Sequence, residues 1–121
     1  MRMLAIGAVL AVVMPFAAQA QEAGDAAAGE KAFAPCKACH NFQKNGVGPD
    51  LKGVVGRKAG TYEGYNYSAA LKNSGITWDE ANLHEWLKNP KAKVPGTKMI
   101  FQGIADDKKI NDLIAYLKTQ S

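Results

Sequence analysis

The sequence predicts a small all-α domain, on three observations. Ile110, Leu113, Ile114 and Leu117 recur at i, i+3, i+4 and i+7, the spacing that puts one apolar face on a helix. Leu83, Trp86 and Leu87 share a face in the same way, behind Thr77-Trp78-Asp79-Glu80, which reads as a capping box. No stretch shows a convincing strand alternation, and no internal repeat or second domain is visible.

Residues 1–20 stand apart from the fold. Arg2 supplies a short positive region, residues 3–18 are almost wholly apolar, and Ala18-Gln19-Ala20 matches a small-x-small cleavage site. The apolar run is short for a membrane span, and Pro15 interrupts it. The expectation is a signal peptide removed after Ala20, export to the periplasm, and one domain over residues 21–121. Without the leader the chain has 101 residues, with 14 basic and 11 acidic side chains. That excess is too mild to point to nucleic acid and suits a soluble protein that meets acidic patches. A domain this size buries only a modest core by itself.

The first helix is expected over 24–34, rich in alanine, with Asp25 placed to cap it and Phe33 as an apolar anchor. Pro35 disfavours helical geometry at Ala34, so the helix should end just before Cys36. Cys36, Lys37, Ala38, Cys39 and His40 then read C-x-x-C-H, the attachment signature of c-type haem. Two thiols three positions apart on one tight turn can each add to a vinyl group on one porphyrin edge. The next residue then lies under the ring, where its imidazole can reach the iron. A bare C-x-x-C would be shared with thiol redox pairs and half zinc sites. The following histidine and the absence of any other cysteine favour haem. A large apolar cofactor would also add much of the buried surface that so short a chain lacks.

Residues 41–64 carry Gly46, Gly48, Gly53, Gly56, Gly60 and Gly64 and read as a long loop. Such loops are uncommon unless they do a job, and wrapping a flat cofactor is one. A short helix is expected from Ser68, with Gly75 as its stop. The helix behind the capping box ends at Asn89-Pro90. The last helix is expected from about 106 to 119, with Asp106 and Asp107 at its positive end and Lys118 at its negative end.

Once the leader is removed, Met99 is the only methionine. A lone methionine is commonly a gap-filling core residue. Met99, however, sits in Pro95-Gly96-Thr97-Lys98-Met99-Ile100-Phe101, a loop stretch, and a thioether opposite His40 would fill the iron's last position and raise its potential. The other candidate is His84, which lies inside a helix beside Glu85 and reads better as a surface residue.

From Gly29 to Leu117 the sequence resembles class I cytochrome c, most closely the bacterial cytochrome c2 and mitochondrial types. The motifs that carry the resemblance are Cys36-Lys37-Ala38-Cys39-His40, Gly48-Pro49-Asp50-Leu51, Gly56-Arg57-Lys58, Gly75-Ile76-Thr77-Trp78, Asn89-Pro90, Pro95 to Phe101 as quoted above, and Asp112-Leu113-Ile114-Ala115-Tyr116-Leu117. The resemblance implies a cytochrome c fold, in which crossed N- and C-terminal helices, shorter helices and loops surround one covalently bound haem c. It implies that Cys36 and Cys39 form the thioethers and that His40 and Met99 are the axial iron ligands. Pro49 would accept a hydrogen bond from His40 through its carbonyl, which fixes the tautomer and makes the imidazole a better donor. Arg57, Tyr67 and Trp78 would donate to the haem propionates, whose burial is costly without partners. Thr97 would steady Met99, Phe101 would shield the haem edge, and Gly29, Phe33, Leu113 and Tyr116 would form the helix crossing. Apart from the resemblance, plain core packing is the better account of Tyr67 and Trp78.

The chain departs from the family pattern at several places. Trp86 stands where tyrosine is usual near the methionine sulfur, Leu71 where mitochondrial members carry asparagine, and Pro35 where a docking lysine is common. Asp106 and Asp107 are acidic where mitochondrial members tend to be basic, and the segment between His40 and Gly48 is short. These bear on potential and partner choice, while the ligand residues are intact.

With both axial positions filled, no site remains for a substrate, so the expected function is soluble one-electron transfer in a respiratory or photosynthetic chain, with no enzymatic activity. The resemblance implies a membrane quinol–cytochrome c oxidoreductase as donor, a terminal oxidase or photosynthetic reaction centre as acceptor, and a monomeric carrier. Lys37, Lys44, Lys52, Lys91, Lys93 and Lys98 fall in segments expected around the haem edge and suggest a docking rim. Three other classes compete: a haem enzyme with an open iron, a thiol–disulfide protein using Cys36 and Cys39, and a small module stabilised by a disulfide between them.

Overall fold

The structure, a computed structural model, describes residues 24–121 and Gly7. The expected cleavage after Ala20 therefore lies outside the described residues. Five α-helices follow in order: α1 (Ala26–Ala32), α2 (Ala69–Lys72), α3 (Glu80–Lys88), α4 (Pro90–Lys93) and α5 (Asp107–Lys118). A 3-10 turn over Ala34–Ala38 follows α1. No strand forms among the described residues, only an isolated antiparallel bridge between Lys58 and Thr77.

The apolar stripe read from the sequence becomes the centre of the core. Ile110, Leu113, Ile114 and Leu117 of α5 are buried, each contributing roughly 2 kcal/mol by leaving water. They face Leu83, Trp86 and Leu87 of α3 and Phe33 behind α1. Helices α1 and α5 cross closely, and Gly29 is the reason they can. A Cβ there would run into the Asp112 carbonyl and lie 2.8 Å from Tyr116 Cβ. Beside the crossing Phe33, Phe42 and Tyr116 form an aromatic cluster with centroids 5.0 to 5.9 Å apart.

A buried carboxylate ties the crossing. Asp112 accepts from the Asp25 backbone N–H at 2.8 Å and from Lys108 Nζ at 2.9 Å. Asp25 in turn caps α1 through the Ala27 N–H. The Asp25 N–H and then Lys108 hold the Asp112 carboxyl below the usual carboxylate range. A depressed folded-state value means that this stabilisation is present above the unfolded carboxylate range and is lost as pH falls through the lowered value. Asp112→Asn should therefore lower stability at neutral pH and flatten the acid limb of a pH titration of stability. An unchanged acid limb would show that Asp112 does not contribute in this way.

Several expectations need correction. The first helix is shorter than 24–34, because a 3-10 turn with Pro35 near its start begins at Ala34 and the α geometry stops at Ala32. The capping box at Thr77 does not form. Asp79 caps α3 instead, accepting from the Asn82 N–H at 2.8 Å. The backbone around Thr77 is already committed: Trp78 N–H donates to Arg57 and the Trp78 carbonyl accepts from Gly56. Asn89-Pro90 ends α3 as expected, but it also starts α4, with Asn89 as cap and Pro90 in the first turn. Ser68 caps α2 through the Leu71 N–H, and Gly75 follows at φ +70°, a conformation that glycine adopts without strain. His84 is less exposed than a surface reading implies. Its side chain is one-fifth exposed and faces Asp107 at 3.3 Å, joining α3 to α5.

Candidate haem site

The loops and helices surround a cavity of about 400 Å³. Its walls are mainly apolar: Leu51, Val54, Leu71, Leu83, Leu87, Leu113 and Leu117, with Phe33, Trp78 and Trp86. Cys36, Cys39 and His40 line it from one segment, and Thr97 to Phe101 from another. Chain segments 60 residues apart thus place the sulfurs, the imidazole and the thioether around one space.

The turn that carries the thiols is built by local hydrogen bonds. Cys39 and His40 N–H groups both donate to the Cys36 carbonyl, at 3.1 and 2.8 Å. Both cysteines are free, and burial, followed by the nearby Cys39, pushes the Cys36 thiol up. His40 Nδ1 lies 2.8 Å from the Pro49 carbonyl oxygen, so this nitrogen donates and Nε2 keeps its lone pair. Burial lowers the His40 pKa more than the Pro49 hydrogen bond raises it, which favours the neutral imidazole that a metal requires. Gly48 makes this arrangement possible: a Cβ there would sit 2.7 Å from His40 Nδ1 and overlap the ring.

The remaining residues named from the sequence also meet at this cavity. Met99 is half-buried, and its N–H donates to Thr97 Oγ1 at 3.3 Å, which anchors the loop. Tyr67 is buried, with its hydroxyl accepting from the Tyr62 N–H at 3.3 Å and its ring edge-on to Tyr65 at 4.8 Å. Burial is the main reason the Tyr67 phenol is pushed up. Arg57 donates to the Lys52 and Asp50 carbonyls at 3.1 and 3.0 Å and lies over the Tyr62 ring at 4.7 Å. Trp78 packs on Trp86 at 5.2 Å, so the tryptophan that departs from the family pattern is part of the wall. Leu71 is likewise part of the wall. His84 does not line the cavity.

Other residues here are given no individual role by the sequence. Asp50 is 1% exposed although it belongs to a loop. Asn45 accepts from the Asp50 N–H at 2.9 Å and donates to the Glu63 carbonyl at 3.0 Å, joining two loops. Tyr62 donates its hydroxyl to Asp50 at 3.1 Å. These partners are 5, 12 and 18 residues apart in irregular backbone, where no periodicity announces a contact.

The donor set fits haem. Among the described residues no group of three or more His, Cys, Asp or Glu side chains could hold a bare metal ion. One imidazole nitrogen and one thioether sulfur suit an iron that arrives with its own equatorial ligands. The apolar walls suit the porphyrin face, and two free thiols on one turn suit covalent attachment.

Comparison with known proteins agrees with this geometry. A family model described as cytochrome c matches residues 26–121. Cytochrome c2 of Blastochloris viridis is 52% identical, over 98% of this chain and 93% of its own length. Cytochrome c-554 of Methylosinus trichosporium is 53% identical, over 95% of this chain and 89% of its own. Among solved structures, cytochrome cH from Methylobacterium extorquens is 73% identical and superposes with a TM-score of 0.79, covering 79% of this chain and 99% of that one. A turn with two free thiols and a histidine, a methionine loop lining the same apolar cavity and these likenesses lead to one conclusion: the chain belongs to the cytochrome c family.

Proposed function

We propose that this protein is a periplasmic one-electron carrier, exported by a signal peptide cleaved after Ala20, in which Cys36 and Cys39 tether haem c and His40 and Met99 ligate its iron. When bound, the haem supplies a metal that cycles between ferrous and ferric. The observation that carries the reading is the convergence of His40 and Met99 on one apolar cavity. Cys36 and Cys39 would hold the haem through their thiols, each of which could add, with its hydrogen, across one vinyl group. Nε2 of His40 is available to the iron because Nδ1 donates to Pro49. Thr97 holds the Met99 backbone in place, while Arg57, Tyr67 and Trp78 are the donors at the cavity wall suited to carboxylates. His40 and Met99 would hold the iron from two chain segments, which would leave the group suited to passing an electron rather than binding a substrate.

The mouth of the cavity suits transient docking. Ile100 is 99% exposed and Val47 76%, and both line the cavity. Lys37, Lys44, Lys52 and Lys91 are exposed in nearby segments. Lys93 is tied to Glu85 and Asn82, and Lys98 to the Asn66 carbonyl and the Tyr65 ring, so these two contribute less freely to the rim. The proposed donor is a membrane quinol–cytochrome c oxidoreductase, and the acceptor a terminal oxidase or photosynthetic reaction centre. Such contacts are weak and steered by charge.

The test is the absorption spectrum of the purified protein in both oxidation states, together with the electron-transfer rate as salt is raised. The expected result is a covalently bound haem with a His/Met signature and a second-order rate that falls with ionic strength. A spectrum without tethered haem would overturn the carrier, and a salt-independent rate would overturn the lysine rim.

A further inference from the structure

We propose that Asp50 is a fixed buried charge that lowers the reduction potential of the haem, a role that rests on the reading of the cavity as the haem site. Asp50 lies between Pro49, whose carbonyl holds His40, and Leu51, which lines the cavity. It is 1% exposed and anchored on every side. Its N–H donates to Asn45 at 2.9 Å, and its carbonyl accepts from Arg57 Nη2 at 3.0 Å. Oδ1 accepts from the Lys52 N–H at 2.8 Å and Oδ2 from the Tyr62 hydroxyl at 3.1 Å.

Both carboxyl oxygens therefore face donors, which is the pattern of a carboxylate. The hydrogen bond to Asp50 is the main reason the Tyr62 phenol is pushed up, so that phenol stays a donor. No cation forms an ion pair with Asp50 among the described residues. Arg57 is close, but its guanidinium donates to the Lys52 and Asp50 backbone carbonyls. A buried carboxylate without a paired cation is costly, and its field is little screened by solvent. Set between two residues that line the cavity, that charge favours the more positive, ferric state of the iron. Hydrogen bonds keep the charge in place without cancelling it.

The experiment is the midpoint potential of the holoprotein and of Asp50→Asn, at low and high salt. Asparagine keeps the size and can still accept from the Lys52 N–H. The expected result is a shift of about threefold in the one-electron equilibrium toward the ferrous state, about 28 mV upward. The shift should persist at high salt, because the group is buried. Tyr62→Phe removes a donor and leaves the charge, so its potential should move downward. A lowered melting temperature with unmoved potentials would make Asp50 merely structural and overturn the proposal. Should Asp50→Asn fail to fold, an unmoved potential in Tyr62→Phe overturns it alone. Failure of the haem reading shows separately, as an unmodified protein without the His/Met spectrum.

Discussion

Met99→Ala should leave the haem covalently attached but open one axial position of the iron. Alanine offers no donor atom, whereas Cys36, Cys39 and His40 lie on a separate segment that the substitution does not touch. The ferric variant should bind exogenous ligands such as cyanide or imidazole, which the unmodified protein should resist. Its potential should fall by on the order of 100 mV or more, since a thioether opposite histidine favours ferrous iron. Optical titration with added ligand and a potentiometric titration measure both effects. An unmodified protein that binds ligand as readily as the variant would mean an open iron and a haem enzyme. Thr97→Val should act in the same direction but more weakly, because the loop loses only the hydrogen bond from the Met99 N–H.

Gly29→Ala should be strongly destabilising, against the helix preference of alanine. In an exposed helix alanine would be favoured by about 1 kcal/mol. Here the added carbon meets the Asp112 carbonyl and Tyr116 Cβ, both part of α5. Neither can move without parting the two helices, so overpacking outweighs propensity. The expected cost is about 3 kcal/mol, which lowers the melting temperature by roughly 10 to 20 °C for a domain of this size. Gly46→Ala is the control. Its Cβ would lie an ordinary 3.5 Å from the Cys39 carbonyl, and stability should change by less than about 0.5 kcal/mol. A neutral Gly29→Ala would mean that the helices do not cross at this distance.

The cavity and the helix crossing meet at α5. Leu113 and Leu117 belong both to the core beneath the crossing and to the cavity wall. Haem binding and helix docking should therefore stabilise one another, as expected when a ligand binds only the folded state.

How much of this was legible beforehand depended on the range of the interactions. Asp25 caps α1 as its position suggested, and Ser68 and Asp106, placed by the sequence at helix starts, also serve as caps, because a cap is a contact over two or three residues. Thr77 failed as a cap because a distant strand-like contact, Trp78 with Arg57, had already claimed its neighbour's backbone. Helix α4 went unanticipated because proline, read as a stop for α3, is equally suited to a first turn. At the site, the thiols and His40, which line the cavity, stand out as five consecutive residues, and Met99, which also lines it, as the single methionine of residues 21–121. Asn45, Asp50 and Tyr62 were not, since loop residues have no period that reveals which of them turn inward.

By itself the sequence determined the chemistry: which atoms can bind a haem, in what order along the chain, and which helices carry an apolar face. These follow from side-chain identity and short spacing, which survive without a fold. Only the tertiary structure decided that Gly48 clears room for the His40 ring, that Gly29 admits α5, and that Asp50 is buried beside the cavity. Those are matters of distance between remote segments, and such distances exist only once the chain has closed on itself.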